Sequence, residues 1–273
     1  MLRSMSDRII EQYDVIRPIF QGGMTDLYVA AAPSGDRVVL RFLKETYARS
    51  WIARKRFLHA ADVMKKMDHP CIPRLIAQGK ARGRPYMILE YVESKTLREL
   101  LVQRSPQLDK ATRPLLRQLA EAIYYVHQTG YLHLDVKPEN ILVRSDNTIV
   151  LIDFDLCVKR KRRPVRLRQI PGTPAYVAPE VLMRQRADEQ ADIFSFGVVA
   201  YELVTRHKPF ERDTLEMERA AQIDPQVSPT PLERFAPDLP RGLRDLILKS
   251  LAKDTTKRYP AMSSILKSLD VLR

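Results

Sequence analysis

The stretch His133-Leu-Asp-Val-Lys-Pro-Glu-Asn140 is the most informative part of this chain. Two short apolar segments follow it, Ile141-Leu-Val143 and Thr148-Ile-Val-Leu-Ile152, joined by the turn-forming residues Ser145-Asp-Asn147. Asp153-Phe-Asp155 comes directly after the second segment. The sequence therefore predicts a polar loop, a two-stranded hairpin and a second polar turn in immediate succession.

The polar side chains of these two loops have the chemistry that phosphoryl transfer requires. Asp135 can orient or deprotonate a hydroxyl group, and Lys137 can neutralise a transferred phosphoryl group. Asn140 and Asp153 can supply hard oxygen ligands to Mg²⁺. A capped polar turn would explain any one of these residues, but it does not explain the complete series in this order.

Hydrophobic periodicity divides the chain into a β-rich first part and a helical second part. The first part predicts strands at 13–20, 27–32, 37–43, 72–78 and 85–90 around one helix at 50–67. The second part predicts helices at 110–128, 188–205, 239–253 and 261–272. We expect an α+β fold with two lobes, a small β-rich N-lobe over 8–93 and a larger, mostly helical C-lobe over 94–273.

The charge of the chain is concentrated in one segment. The 273 residues include 46 Lys and Arg against 33 Asp and Glu, a formal net charge of +13. Seven cations and no acid lie in Lys159-Arg-Lys-Arg-Arg-Pro-Val-Arg-Leu-Arg168, which we call the basic strip. A solvated loop is the ordinary explanation of such a run. The alternative is a docking strip for an acidic protein segment or an anionic surface. Nucleic acid is less favoured, because no aromatic residue is interleaved for base stacking.

The lack of targeting signals and the small number of cysteines both bear on the location of the protein. No apolar run reaches membrane-spanning length, and the first residues lack the apolar core of a signal peptide. Cys71 and Cys157 cannot form a disulfide framework, and no Cys/His spacing suggests zinc. We expect a soluble, cytoplasmic protein without a membrane span, in which Cys157 is a buried structural thiol.

Nearly the whole chain resembles the eukaryotic-type (Hanks-type) serine/threonine protein kinase family. Besides the loop at 133–140, Gly172-Thr-Pro-Ala-Tyr-Val-Ala-Pro-Glu180 matches the end of the activation segment of that family. Asp192-Ile-Phe-Ser-Phe-Gly197 matches its central buried helix, and Arg258 matches the arginine that pairs with the glutamate at 180. Lys137 and Thr173 are similar to the serine/threonine branch rather than to tyrosine kinases.

The resemblance implies a two-lobed kinase fold with ATP and Mg²⁺ (Mn²⁺ is the alternative metal) bound beneath a glycine-rich loop, and a protein substrate. By similarity, Asp135 is the catalytic base, Lys137 the loop lysine, and Asn140 and Asp153 the metal ligands. The nucleotide-binding residues that it implies are Gly22, Gly23, Leu27, Val39, Arg41, Glu90, Val92 and Leu142. It also implies that Leu89 is the gatekeeper and that the regulatory spine contains His133, Phe154, Met64 and Leu75.

The N-lobe departs from the family pattern at the nucleotide site. Phe20 and Thr25 stand at the first and third glycine positions of the loop, where only Gly22 keeps its place. Arg41 replaces the ATP-binding lysine, and arginine is longer and planar. Ala60 stands where the family has the glutamate partner of that lysine, so the usual ion pair cannot form.

Two further departures lie in the C-lobe. Leu134 replaces the arginine before the catalytic aspartate, and Asp155 replaces the glycine that follows Asp-Phe. Residues 156–172 contain no Ser, Thr or Tyr. We expect that phosphorylation of this part of the activation segment is not the switch, and that Asp155 restricts the backbone beside Phe154.

Two functions follow from these observations. The first is an active but weak serine/threonine kinase, because Asp135, Lys137, Asn140 and Asp153 are all present. The second is a pseudokinase, acting as a scaffold or as an ATP-dependent conformational switch, because Arg41 and Ala60 have lost the usual pair. A nucleic-acid-binding module rests only on the basic strip and has little support.

Overall fold

The computed structural model describes residues 12–167, 170, 172–183 and 186–272. The described chain divides between Glu93 and Ser94 into two compact units. The first unit contains a five-stranded antiparallel sheet, and the second unit is mainly helical, so the predicted α+β fold class is confirmed. Among the described residues, no helix is long and apolar enough to cross a membrane.

Within residues 12–93, the first unit contains five strands and two helices. In chain order these are β1 (Asp14–Gly22), β2 (Thr25–Ala31), β3 (Arg37–Leu43), α1 (Glu45–Ala48), α2 (Trp51–Met64), β4 (Leu75–Ala81) and β5 (Arg84–Glu90). The sheet order is β1-β2-β3-β5-β4. One face of the sheet carries a buried cluster made of Ala30, Val38, Leu40, Ala81, Tyr86 and Ile88. Because side chains alternate along a strand, the intervening residues lie on the opposite face.

The second unit is built around two long helices. Its elements are β6 (Lys95–Thr96), α3 (Leu97–Val102), α4 (Pro106–Gln128), β7 (Tyr131–Leu132), β8 (Ile141–Val143), β9 (Ile149–Leu151), β10 (Val158–Lys159), β11 (Val165–Arg166), α5 (Pro179–Leu182), β12 (Arg186–Ala187), α6 (Glu189–Thr205), α7 (Leu215–Ile223), α8 (Arg241–Ser250) and α9 (Met262–Val271). Helix α6 is buried along almost its entire length, as its apolar sequence predicts. Its first backbone N–H groups are capped by Asp188, which accepts from Gln190 N at 2.9 Å.

Several predicted boundaries are wrong, and each has a local cause. The strand predicted at 72–78 begins at Leu75, because the preceding Ile72 N–H closes a turn on His69 O and Pro73 has no N–H to donate. Helix α2 ends at Met64 rather than at 67, since Lys66 and Met67 bond three residues back and tighten the chain into a turn. Helix α4 begins four residues earlier than predicted, with Pro106 at its first position.

A buried ion pair links the end of the activation segment to the residues before α9. Arg258 donates to both carboxylate oxygens of Glu180, at 2.7 and 2.8 Å, and its guanidinium lies over the Phe194 ring at 5.0 Å. The predicted partner of Arg258 is therefore confirmed. Bidentate geometry and nearly complete burial make this a strong interaction.

We predict that Arg258→Gln destabilises the second unit, because Glu180 would keep a buried charge without its partner. Removing one member of a buried pair costs about 3–5 kcal/mol, which lowers the melting temperature by on the order of 10 °C. Differential scanning calorimetry measures the shift. Arg241→Gln is the matched control, since that side chain is 91% exposed and lies 3.7 Å from Asp245. Equal melting temperatures for the two variants would contradict the assignment.

Candidate active site

The loop at 133–140, which we call the catalytic loop, is held by one buried carboxylate of helix α6. Asp192 accepts hydrogen bonds from His133 N at 2.8 Å and from Leu134 N at 2.7 Å. Leu134 has a left-handed backbone with φ of 61°, which costs energy for a residue other than glycine. The two hydrogen bonds therefore stabilise a strained turn immediately before Asp135.

Asp192 has a third partner in helix α4, His127 Nε2 at 2.8 Å. Complete burial acts to raise the pKa of Asp192, but the hydrogen bond and charge interactions with His127, together with those of His133, outweigh it. The pKa of Asp192 therefore lies below its usual value, and the group stays ionised.

Three of the predicted catalytic side chains form one hydrogen-bonded cluster. Lys137 Nζ donates to both carboxylate oxygens of Asp135, at 3.0 and 2.9 Å. Asn140 Nδ2 donates to the Asp135 carboxylate at 2.8 Å and to its backbone oxygen at 2.9 Å. Burial raises the pKa of Asp135, although the charge of Lys137 acts in the opposite direction. A carboxylate with a raised pKa is a better general base.

Gly172, at the start of the activation-segment match, lies directly against this cluster. Its φ is +70°, and a Cβ atom there would be 2.6 Å from Asp135 Oδ1. Any larger residue would displace the carboxylate, so this position requires glycine for both backbone and space.

Asp153 and Asn140 are brought together by the backbone. Ile152 N donates to Asn140 O at 2.9 Å, which places Asp153 beside the catalytic loop, and Asp153 has a left-handed backbone with φ of 65°. The described hydrogen bonds of the Asn140 side chain use Nδ2 and not its amide oxygen. This oxygen and the Asp153 carboxylate are hard oxygen ligands of the kind that suits Mg²⁺. Within the described ranges, no group of three or more His, Cys, Asp and Glu side chains could hold a metal. The donor set thus fits an ion that completes its coordination with phosphate and water rather than an all-protein site.

The buried core beside the loop contains two of the four predicted spine residues. The rings of His133 and Phe154 meet edge-on with centroids 5.1 Å apart. Burial lowers the pKa of His133, although the carboxylate of Asp192 opposes the effect. Met64 and Leu75 belong to the first unit, and their stacking on this pair stays a prediction. Cys157 is a buried thiol outside any disulfide, as predicted, and its Sγ lies 3.7 Å from His133 O.

In the first unit, three predicted nucleotide residues share one face of the sheet. Leu27 pairs with Arg41 across β2 and β3, and Val39 lies two residues from Arg41 on the same strand. This is the face opposite the apolar cluster. Val39 also pairs with Leu89 of β5, the predicted gatekeeper.

The surroundings of Arg41 could not be predicted from the sequence. Arg41 is buried, its Nε lies 3.5 Å from Thr25 Oγ1, and its guanidinium lies 5.7 Å from the centre of the Phe57 ring. Phe57 is one helical turn before Ala60, which is fully buried. Two of the departures from the family pattern, Thr25 and Arg41, are thus in contact.

The remaining predicted nucleotide residues lie at turns and strand ends. Gly22 ends β1, and Gly23 follows in a left-handed conformation with φ of 57° and open space around it. Glu90 ends β5, where its carboxylate accepts from Arg74 N at 3.2 Å, and Val92 is buried just beyond. Leu142 is half-buried in β8 of the second unit. The side chain of Phe20 lies outside the described residues.

The basic strip is held at two points rather than free along its length. Val158–Lys159 pairs with Tyr131–Leu132, and Val165–Arg166 pairs with Arg186–Ala187. Arg160 bonds Glu189 at 2.6 Å and His127 O at 3.2 Å. The strip therefore packs against the second unit through backbone ladders that its charge pattern does not reveal; Arg168 lies outside the described residues.

A polar network that sequence reasoning missed supports the activation segment. Arg98 of α3 pairs with Glu202 of α6 at 2.6 Å and with Glu139 of the catalytic loop at 2.8 Å, and it also contacts the Tyr176 hydroxyl. Tyr176 donates to Glu202 at 2.5 Å. Burial, followed by the charge of Glu202, raises the pKa of Tyr176 above its usual value. These residues are far apart in sequence, so no local pattern indicates the network.

Comparison with known proteins agrees with this geometry. The model of the protein kinase domain family matches residues 13–268. Serine/threonine-protein kinase PrkC of Bacillus subtilis (strain 168) is 30% identical over 254 residues, 92% of this chain and 39% of the relative. Serine/threonine-protein kinase pkn2 of Myxococcus xanthus is 30% identical over 264 residues, 90% of this chain and 31% of the relative. Serine/threonine-protein kinase PknL of Mycobacterium tuberculosis (strain ATCC 25618 / H37Rv) is 31% identical over 255 residues, 91% of this chain and 62% of the relative.

A match over so much of the chain, together with the loop at 133–140 and the Asp192 anchor, defines a protein kinase fold. The chain belongs to the protein kinase domain family. It spans between about a third and two thirds of the length of these relatives.

We predict that His133→Phe makes the stability of the folded protein depend less on pH between about pH 7.5 and about pH 5.5. His133 is neutral in the folded protein because burial lowers its pKa from the ordinary value of 6.5. Below about pH 6.5 the unfolded chain binds a proton that the folded chain does not, so stability falls as the pH is lowered. Melting temperatures at about pH 7.5 and about pH 5.5 measure this slope. His207→Gln should retain the slope of the wild type, and an unchanged slope in His133→Phe would contradict the prediction.

Proposed function

We propose that this chain is a serine/threonine protein kinase that transfers the γ-phosphoryl group of Mg-ATP to a protein hydroxyl, with low activity. The observation that carries the proposal is the cluster of Asp135, Lys137 and Asn140, in which the proposed base is oriented by two donors. The relatives named as serine/threonine-protein kinases support the same activity.

Each residue of the second unit has a distinct task in this proposal. Asp135 orients the substrate hydroxyl and accepts its proton, and its raised pKa favours that transfer. Lys137 lies beside the carboxylate and neutralises charge on the transferred group. Asn140 and Asp153 hold the metal through their side-chain oxygens. Mg²⁺, with Mn²⁺ as the alternative, supplies neutralisation of the phosphate charge.

Low activity follows from the nucleotide side of the site. We assign the contacts to ATP to Gly22, Gly23, Leu27, Val39, Arg41, Glu90, Val92 and Leu142. Arg41 stands in place of the usual lysine, and Ala60 offers no carboxylate where the family has a glutamate. Loss of one charge-assisted contact costs roughly 1.5–3 kcal/mol, which corresponds to about one to two powers of ten in rate.

A pseudokinase is the second candidate, and the environment of Arg41 is the observation that favours it. In that case nucleotide binding would change the conformation of the protein without phosphoryl transfer. Retention of Asp135, Lys137, Asn140 and Asp153 argues for catalysis, because a protein without that activity has no need of this set.

The charge of the basic strip indicates the substrate, and the use of ATP and the state of the cysteines indicate the location. We assign an acidic protein segment as the preferred substrate, because the basic strip lies in the activation segment, and we consider nucleic acid a poor partner. A cytoplasmic location fits a use of ATP and two buried cysteines outside any disulfide.

We predict that the wild type transfers ³²P from labelled ATP to a generic acidic substrate such as casein, and only with Mg²⁺ or Mn²⁺. Asp153→Ala should abolish the transfer, because it removes a metal ligand. Asp213→Ala, at an exposed aspartate outside the proposed site, is the matched control and should retain activity. Absence of transfer above Asp153→Ala would exclude the enzyme, and an ATP-induced rise in melting temperature would then identify a nucleotide-binding pseudokinase.

We also predict that Arg41→Lys combined with Ala60→Glu raises activity about tenfold or more above Arg41→Lys alone. A lysine at 41 has no carboxylate to orient it unless a glutamate is present at 60. Initial rates at saturating substrate compare the three proteins. If the single variant reaches the activity of the double variant, this explanation of the pair is wrong.

A further inference from the structure

A cavity in the second unit lies between the end of the basic strip and helix α6. Its volume is about 520 Å³, and it is lined by Pro164, Arg166, Glu180, Met183, Arg186, Asp188 and Thr255. The short ladder of β11 and β12 forms part of its wall, so strip and cavity are joined by backbone hydrogen bonds.

The acidic residues of the cavity already have partners. Both terminal nitrogens of the Arg258 guanidinium donate to the Glu180 carboxylate. Asp188 accepts a hydrogen bond from the Gln190 N–H and so caps the start of helix α6. By contrast, neither Arg166 nor Arg186 makes an ion pair or a side-chain hydrogen bond within the part of the chain that the structure describes. When Arg258 is counted against Glu180, the charges at the cavity sum to +1, because Arg166 and Arg186 face a single further carboxylate, that of Asp188.

The two arginines are also placed against each other. Arg166 is the direct register partner of Arg186 across the ladder, and both side chains are exposed. Directly opposite residues of an antiparallel pair lie on the same side of the ladder with Cβ atoms about 4.5–5.5 Å apart, and like charges there are destabilising. An anion between the two guanidinium groups removes that repulsion and gains charge-assisted hydrogen bonds.

We propose that this cavity is a docking site for an acidic protein segment, whose carboxylates bind between Arg166 and Arg186. The inference rests on the proposed function only for the use of the docked segment as substrate, because binding itself needs no catalysis. Glu180, which lines the site, ends the activation-segment match that begins at Gly172 against Asp135, so a docked chain lies beside a segment that contacts the catalytic cluster.

The lining favours a peptide over other polyanions. Pro164 and Met183 are exposed apolar side chains that can contact the aliphatic part of a peptide. The lining has no aromatic residue on which a base could stack. A concave site also suits a single extended chain better than the plane of a lipid headgroup layer.

The test measures binding without ATP. Fluorescence anisotropy compares a labelled oligo-glutamate peptide with an oligo-glutamine peptide of equal length, on the full chain. We expect Arg166→Gln with Arg186→Gln to weaken binding of oligo-glutamate about five- to tenfold. The matched control is Arg162→Gln with Arg163→Gln, which removes the same charge from exposed strip residues outside the cavity and should weaken binding less than about twofold.

A second pair of substitutions tests whether bidentate donation by the two guanidinium groups contributes to binding. Arg166→Lys with Arg186→Lys keeps the charge and the fold but loses bidentate donation, and we expect an intermediate affinity. Melting curves without peptide verify that every variant is folded.

Three results would overturn the proposal: no preference of the wild type for oligo-glutamate, equal weakening by the two glutamine pairs, or a selective loss seen only with an oligonucleotide or with phosphatidylserine vesicles. Because no nucleotide is present, these results are independent of the transfer assay. Transfer without selective binding would refute the docking site alone, and selective binding without transfer would refute only the catalytic proposal.

Discussion

The carboxylate of Asp192 determines the geometry of the catalytic loop. It is completely buried, and it remains ionised because two backbone N–H groups and one imidazole donate to it. Two of these donors belong to the backbone of residues 133 and 134, so the anchor does not depend on the side chain at 134. This explains how Leu134, which is buried in the core, can replace an arginine without loss of the loop conformation. The substitution removes a cation while the anchored loop is retained.

Helix α6 also anchors the activation segment, again through buried polar side chains. Ser195 donates to Tyr176 O at 2.7 Å, and Glu202 accepts from both Tyr176 and Arg98. Polar side chains at 192, 195 and 202 of one apolar helix thus bind the catalytic loop, the activation segment and helix α3. Each buried polar group has partners that compensate for its lost hydration, which is the condition for placing it in the core. A single rigid helix therefore defines the positions of residues that are remote in sequence.

The sequence was sufficient where the chemistry is local. The catalytic loop, Asp153, the buried helix α6 and the Glu180–Arg258 pair were all predicted, because short motifs or strong periodicity carry them. Helices α3 and α7 were not predicted, since the first has six residues and the second has a mostly polar, exposed surface. The ladders that hold the basic strip are two residues long, too short for any alternating pattern. The packing of Arg41 on Phe57 depends on how a helix crosses a sheet, which spacing alone does not determine.

The two replacements in the first unit, Arg41 and Ala60, depend on each other. A glutamate at 60 would place a carboxylate at a fully buried position, and its desolvation would have to be balanced by a cation in the right place. Alanine removes that requirement, and the planar guanidinium of Arg41 packs against Phe57 and Thr25 instead. The Asp135 carboxylate accepts from Lys137 and Asn140, and its backbone N–H donates to His133 Nδ1, all within the second unit. The replacements at 41 and 60 alter none of these residues, nor Asp192, which anchors the loop that carries Asp135.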